Sequence, residues 1–192
     1  MIALHSGPEP APRRQLFVGT ALACAGVITL MGGMLGTWMR LRQSTRTAGG
    51  LWVPRGISIP QVPTNTMMIA VVPLCVFAQW AVYAARRDDR SNAGLAIGLT
   101  GVMGLALINA QAFVFNRMAL PVAGKAYNSM FYAITGTFTL LAIIGVAFTA
   151  VTAFRYLGGR SSDREIIAAH ALYWYTLSAV FSALWFVVYV TK

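Results

Sequence analysis

Long uncharged runs alternate with short charged interruptions along this chain. The longest run, Ala126 to Phe154, lies between Lys125 and Arg155. At about 1.5 Å rise per residue, such a helix crosses the ~30 Å hydrocarbon layer with a turn or two to spare. Tyr127, Phe131 and Tyr132 crowd its start, as interfacial aromatic residues do. The run carries only scattered hydroxyls and lacks the polar face that a helix in water needs. Four more runs repeat the construction: Leu16 to Met39, Asn65 to Ala85, Ala93 to Phe115 and Ile166 to Val190. The pattern predicts an all-α integral membrane protein, an antiparallel bundle of five transmembrane helices. Residues 1–15 read as a polar, Pro-rich, disordered tail, and 16–192 as the membrane domain.

The links Arg86–Arg90 and Asn116–Lys125 are short, which predicts antiparallel neighbours packed side by side. The longest link, Arg40 to Thr64, holds Pro54, Pro60 and Pro63, which argue for an extended surface segment. Trp52 within it is expected at an interface. Pro73 falls in the middle of the second helix, where it kinks the helix or frees one carbonyl. Small residues mark expected packing faces: Gly32, Gly33 and Gly36 on the first helix, Gly94 and Gly98 on the third, and Gly136 on the fourth. Such residues let backbones approach closely in lipid.

Composition agrees. Hydrophobic residues make up 57% and charged residues 10%, against roughly 25% charged in soluble domains. The net charge of +10 therefore sits in the links. No basic helix face or soluble domain presents it to nucleic acid, so anionic lipid headgroups or an acidic partner are the expected counter-charges. Lys and Arg divide almost evenly between the two ends, eight on the tail's side and seven on the other. The positive-inside rule thus decides little. All five acids (Glu9, Asp88, Asp89, Asp163 and Glu165) lie on the tail's side, so the opposite end is uncompensated.

Candidate chemistry is sparse. Cys24 and Cys75 sit in apolar runs without metal-ligand spacing. His5 and His170 cannot build a haem or copper centre, which needs several inward ligands. His170 reads as an interfacial or packing residue. The expected interior holds no titratable group, which argues against a proton relay. Asn109 and Gln111 are expected either to bond across helices or to line a polar cleft near the surface. In the second case they would contact phospholipid headgroups, with Arg117 and Lys125 supplying the charge.

The fourth run opens with Tyr127, Ser129, Phe131, Tyr132, Thr135 and Gly136. This order resembles a Tyr-x-Ser-x-Phe-Tyr-x-x-Thr-Gly helix start in subunit III of haem–copper oxidases. Trp174, Tyr189 and Lys192 sit at places comparable with that family's last helix, and Asn65-Thr66 matches a helix start after a Pro-containing link. The likeness covers about Leu16 to Lys192, and the five-helix count fits the family's shorter bacterial form. Family ionisable positions are neutral here: Phe138 and Leu141 stand at two histidines, Tyr175 at another, and Ser178, Val27 and Gln111 at acids.

The resemblance implies a non-catalytic accessory subunit of a haem–copper terminal oxidase or a related respiratory complex. It would dock beside the catalytic subunit and other membrane subunits, stabilise them and hold phospholipids in an interhelical cleft. It would bind no haem or copper itself; those cofactors belong to partner subunits. The expected location is a bacterial inner membrane with the N-terminus cytoplasmic. A nitric-oxide-reductase accessory protein of the same family, a membrane assembly protein and a small transporter remain as alternatives.

Overall fold

In a computed structural model, the described residues are 14–121, 125–158 and 164–191. Most of the expected tail, up to residue 13, lies outside them, as do Lys192 and part of two links. The described chain is helical and contains no strand. Five of its helices are long and apolar enough to cross a membrane. These are α1 (Gln15–Thr47), α2 (Gln61–Arg86), α3 (Arg90–Met118), α4 (Ala126–Leu157) and α5 (Arg164–Leu184). A π-helical segment, Trp185–Val190, continues α5.

Helices α2 to α5 form a closed antiparallel four-helix bundle in which each touches its neighbours round the ring. Helix α1 lies outside this ring, against α5 and α4. It runs parallel to α5, because both N-terminal ends and both C-terminal ends are tied together. At one end the Phe17 amide donates to Glu165 Oε1 at 2.8 Å. At the other, Arg42 Nη1 donates to Thr191 Oγ1 at 2.9 Å. Burial follows from this layout. Helix α5 has the largest buried share of the five, and α1 the smallest. On α1 only Cys24, Met31, Leu35 and Trp38 are enclosed. Their spacing places them on one narrow stripe.

Two helix ends differ from the boundaries of the apolar runs. Helix α1 continues beyond Met39 to Thr47, carrying Arg40, Arg42 and Arg46 on its extra turns. Hydrophobicity stops where the bilayer stops, but helical backbone bonding does not, and cations suit a helix C-terminus. Helix α2 begins at Gln61, so Pro63 lies in its first turn rather than in the link. An amide missing there leaves no intrahelical bond unmade. Helix α2 also runs unbroken through Pro73.

The turn between α2 and α3 is pinned by acids. Asp88 adopts φ 58°, and both its carboxylate oxygens accept from Arg164 Nη2, at 2.6 and 2.7 Å. The pair is exposed, so it is worth under about 1 kcal/mol. Asp89 caps α3 by accepting from the Asn92 amide at 3.1 Å. The Asn92 side chain, followed by its backbone amide, holds the Asp89 carboxyl below the usual carboxylate range. A depressed carboxylate pKa adds stability at neutral pH that is lost as pH falls through the folded-state value. Asp89→Ala should therefore fray the first turn of α3, and wild-type chain in strong acid should do the same. Amide hydrogen exchange at Asn92 reads both.

Candidate functional site

The centre of the bundle is keyed by Trp174 on α5. Its indole lies between Gly104 of α3 and Gly145 of α4. A Cβ built on Gly104 would stand 2.7 Å from the ring, and one on Gly145 3.0 Å. Trp174 Nε1 donates to Thr149 Oγ1 at 3.0 Å and to His170 Nε2 at 3.1 Å. Thr149 Oγ1 lies 2.8 Å from the same imidazole nitrogen and 2.8 Å from the Gly145 carbonyl oxygen. His170 and Trp174 are one helical turn apart, and Thr149 meets them from α4. His170 is fully enclosed. This corrects the expectation of an interior without a titratable group, and of the two expected places for His170 the structure shows packing. The sequence shows His170 close to the charged start of α5, but not that α4 covers that start. Among the described residues no group of three His, Cys, Asp or Glu side chains could hold a metal ion.

Most residues of the aromatic start of α4 turn inward. Tyr127, Phe131 and Thr135 are buried, Tyr132 and Gly136 are half-buried, and Ser129 is exposed. Positions 127, 131 and 135 follow one another at four-residue spacing, which places them on one face. Tyr127 packs on Trp38 and Trp52, with ring centroids 5.2 and 5.7 Å apart, and Trp38 meets Trp52 edge-on at 5.0 Å. Trp52, at 5% exposure, folds back from the link onto the bundle end. Tyr132 reaches the Leu120 carbonyl at 3.0 Å, and Asn128 Nδ2 that of Pro121 at 2.9 Å. These bonds tie the α3–α4 link to the start of α4.

The expected lipid-facing set divides. Gln111 is 1% exposed and its Oε1 accepts from the Tyr189 hydroxyl at 3.2 Å. Asn109, two residues away, is exposed. A step of two residues turns a helix by about 200°, so both amides cannot face one cleft. Asn109 instead shares an outward stripe with Phe113 and Arg117, whose guanidinium lies 5.7 Å from the Phe113 ring. Lys125 is exposed at the start of α4.

The glycines divide as well. Gly94 meets Leu157 of α4, 3.0 Å from its expected Cβ position. Cβ atoms on Gly32, Gly33, Gly36, Gly98 and Gly136 would meet nothing within 4 Å. The glycines that do admit a neighbouring side chain into the core are Gly104 and Gly145. No spacing motif marks them; their shared partner is a tryptophan on a third helix.

A family model described as cytochrome c oxidase subunit III matches residues 19–192. The chain belongs to the cytochrome c oxidase subunit III family. The match covers nearly the whole chain, including all of the α4 start and the Trp174 helix. Relatives named cytochrome c oxidase subunit 3 agree in extent. That of Cyprinus carpio is 28% identical over 134 residues, which cover 68% of this chain and 51% of the relative. That of Danio rerio is 28% identical over 153 residues, covering 76% and 57%. That of Strongylocentrotus purpuratus is 27% identical over 149 residues, covering 73% and 56%. The chain thus spans little more than half the length of the curated relatives it matches. With five spanning helices, this family member is a multi-pass membrane protein.

Proposed function

We propose that this chain is a non-catalytic, subunit III-like subunit of a haem–copper terminal oxidase or a related respiratory complex. Its role is to stabilise the catalytic subunit beside it and to hold phospholipid at its surface. The family match over residues 19–192 carries this reading. The packing supports it: a bundle keyed by tryptophan, glycine and a buried imidazole suits a scaffold. The redox cofactors, haem and copper, belong to the partner subunits in this reading. The complex sits in a bacterial inner membrane with the N-terminal side of α1 cytoplasmic.

Extraction in mild detergent tests it. A haem-containing subunit should co-purify with the tagged chain, and the chain alone should carry neither haem nor copper. Stoichiometric haem or copper on the isolated chain would overturn the reading.

The lipid part has its own test. Asn109, Phe113 and Arg117 offer a polar, aromatic and cationic stripe that leads to the C-terminal end of α3, and Lys125 is the fourth candidate contact. Arg117→Ala should reduce the phospholipid retained in native mass spectrometry while leaving the thermal midpoint unchanged. Gln111→Ala should do the reverse, because its amide is enclosed against Tyr189. Equal lipid retention in Arg117→Ala and wild type would remove Arg117 from the contact.

A further inference from the structure

Among the described residues, five buried side-chain polar atoms without a hydrogen-bond partner lie at one end of this bundle: Trp38 Nε1, Trp52 Nε1, Tyr127 Oη, Gln111 Nε2 and Asn128 Oδ1. Tyr156 Oη and His170 Nδ1 are unmet toward the other end and share no aromatic cluster with them. The three aromatic side chains touch one another. Tyr127 stacks on Phe131, which meets Tyr189, the hydrogen-bond partner of Gln111. The parent residues are all 5% exposed or less. They come from α1, the α1–α2 link, α3 and α4, so no single helix can supply the missing bonds.

Donors outnumber acceptors in the set. Indole nitrogens only donate, and Gln111 Nε2 only donates. Asn128 Oδ1 accepts, and Tyr127 Oη does both. Rings in contact cannot turn their polar atoms onto each other without losing that packing. Unmet groups near hydrocarbon are costly, on the scale that excludes open backbone from membranes. Water both donates and accepts, and one molecule serves two to four such groups.

The backbone is also unusual here. The helix carrying Tyr189 leaves α-geometry for a π-segment, Trp185–Val190, closed by the Thr191 amide on the Phe186 carbonyl at 2.9 Å. Such segments concentrate at functional sites. This one directs the Tyr189 hydroxyl to Gln111, while Trp185 Nε1 donates to Asn65 at 3.2 Å. Trp52 is carried by a link without helical bonding, so a small movement of that link makes room for water without unpacking a span.

We propose that this end of the bundle is an internal water-binding site. Trp38, Trp52 and Tyr127 form its outer wall, and Gln111 with Tyr189 its inner wall. The bound water joins the α1–α2 link to α3 and α4. The opposite half of the core needs none for its own tryptophan, since Trp174 Nε1 is satisfied by Thr149 and His170. The inference does not depend on the oxidase reading.

The full chain in lipid nanodiscs, with nitrogen-labelled indoles, provides the test. The Trp38 and Trp52 indole protons should show cross-relaxation of the sign given by a held water, and the Trp174 proton should show none. Trp38→Phe and Trp52→Phe assign the signals. Tyr127→Phe, which removes only the hydroxyl, should weaken the Trp52 signal and lower the thermal midpoint by about 2–4 °C. Trp38 and Trp52 indoles as dry as that of Trp174 would overturn the proposal. So would a midpoint unchanged or raised by Tyr127→Phe, because deleting an unmet hydroxyl should not destabilise.

Discussion

Trp174→Ala should lower the thermal midpoint of the purified chain by on the order of 10 °C. The indole fills the space that Gly104 and Gly145 leave open on two other helices. The two glycines have no side chain to move into it, so the space can collapse only in part. Truncating a fully enclosed tryptophan costs about 3–5 kcal/mol. At about 2–4 °C per kcal/mol for a chain of this size, the shift is large. The substitution also strips the imidazole of one donor and leaves Thr149 with fewer partners. Trp174→Phe separates the two contributions: it keeps most of the side-chain volume and loses the indole N–H bonds. Its shift should be clearly smaller than that of Trp174→Ala. Equal shifts would mean that the polar contacts, and not the fit against the two glycines, hold the centre together. Circular dichroism or intrinsic fluorescence on the detergent-solubilised chain reads both variants.

The spans are legible in the sequence because hydrocarbon excludes charge. An uncharged run between Lys125 and Arg155 has one stable reading in a membrane. Where hydrophobicity ends, the signal ends too, so the turns of α1 carrying Arg40 to Thr47 were not visible. The aromatic order Tyr127, Phe131, Tyr132 with Thr135 and Gly136 was legible as a family likeness, and it lies in the matched region. Its job was less legible. An aromatic cluster at a helix start reads as an interfacial belt, yet Tyr127 turns inward under Trp52, and Phe131 turns inward against Tyr127 and Tyr189.

Pairing between helices was the least legible property of all. Asn109 and Gln111 look alike in the sequence and face opposite ways. Gly32 and Gly36 have the spacing of a contact motif, yet a Cβ there would meet nothing within 4 Å among the described residues, whereas Gly104 and Gly145 have no such spacing and hold the core. A spacing rule reports that two backbones could approach. It does not report which neighbour comes.

That difference sets up the other large effect. Gly33→Leu should leave the isolated chain as stable as before and sharply reduce recovery of its partner subunit. The position lies about 180° round α1 from Cys24, on the side away from α5. A Cβ there meets no atom of the chain within 4 Å, and leucine is the better helix former by up to about 1 kcal/mol. The fold therefore has no reason to suffer. In the proposed complex the same face admits a helix of the catalytic subunit at close backbone distance, as small residues allow in lipid. A leucine there forces the partner outward at about 1–3 kcal/mol, which is roughly ten- to hundredfold in association at 1.4 kcal/mol per tenfold. Gly98→Leu is the control, being equally exposed but on α3. Both variants should match wild type in thermal midpoint, and only Gly33→Leu should release the haem-containing subunit in mild detergent. If Gly98→Leu releases it instead, the docking face is on α3; if neither does, helix contact through exposed glycines is not how the subunit is held.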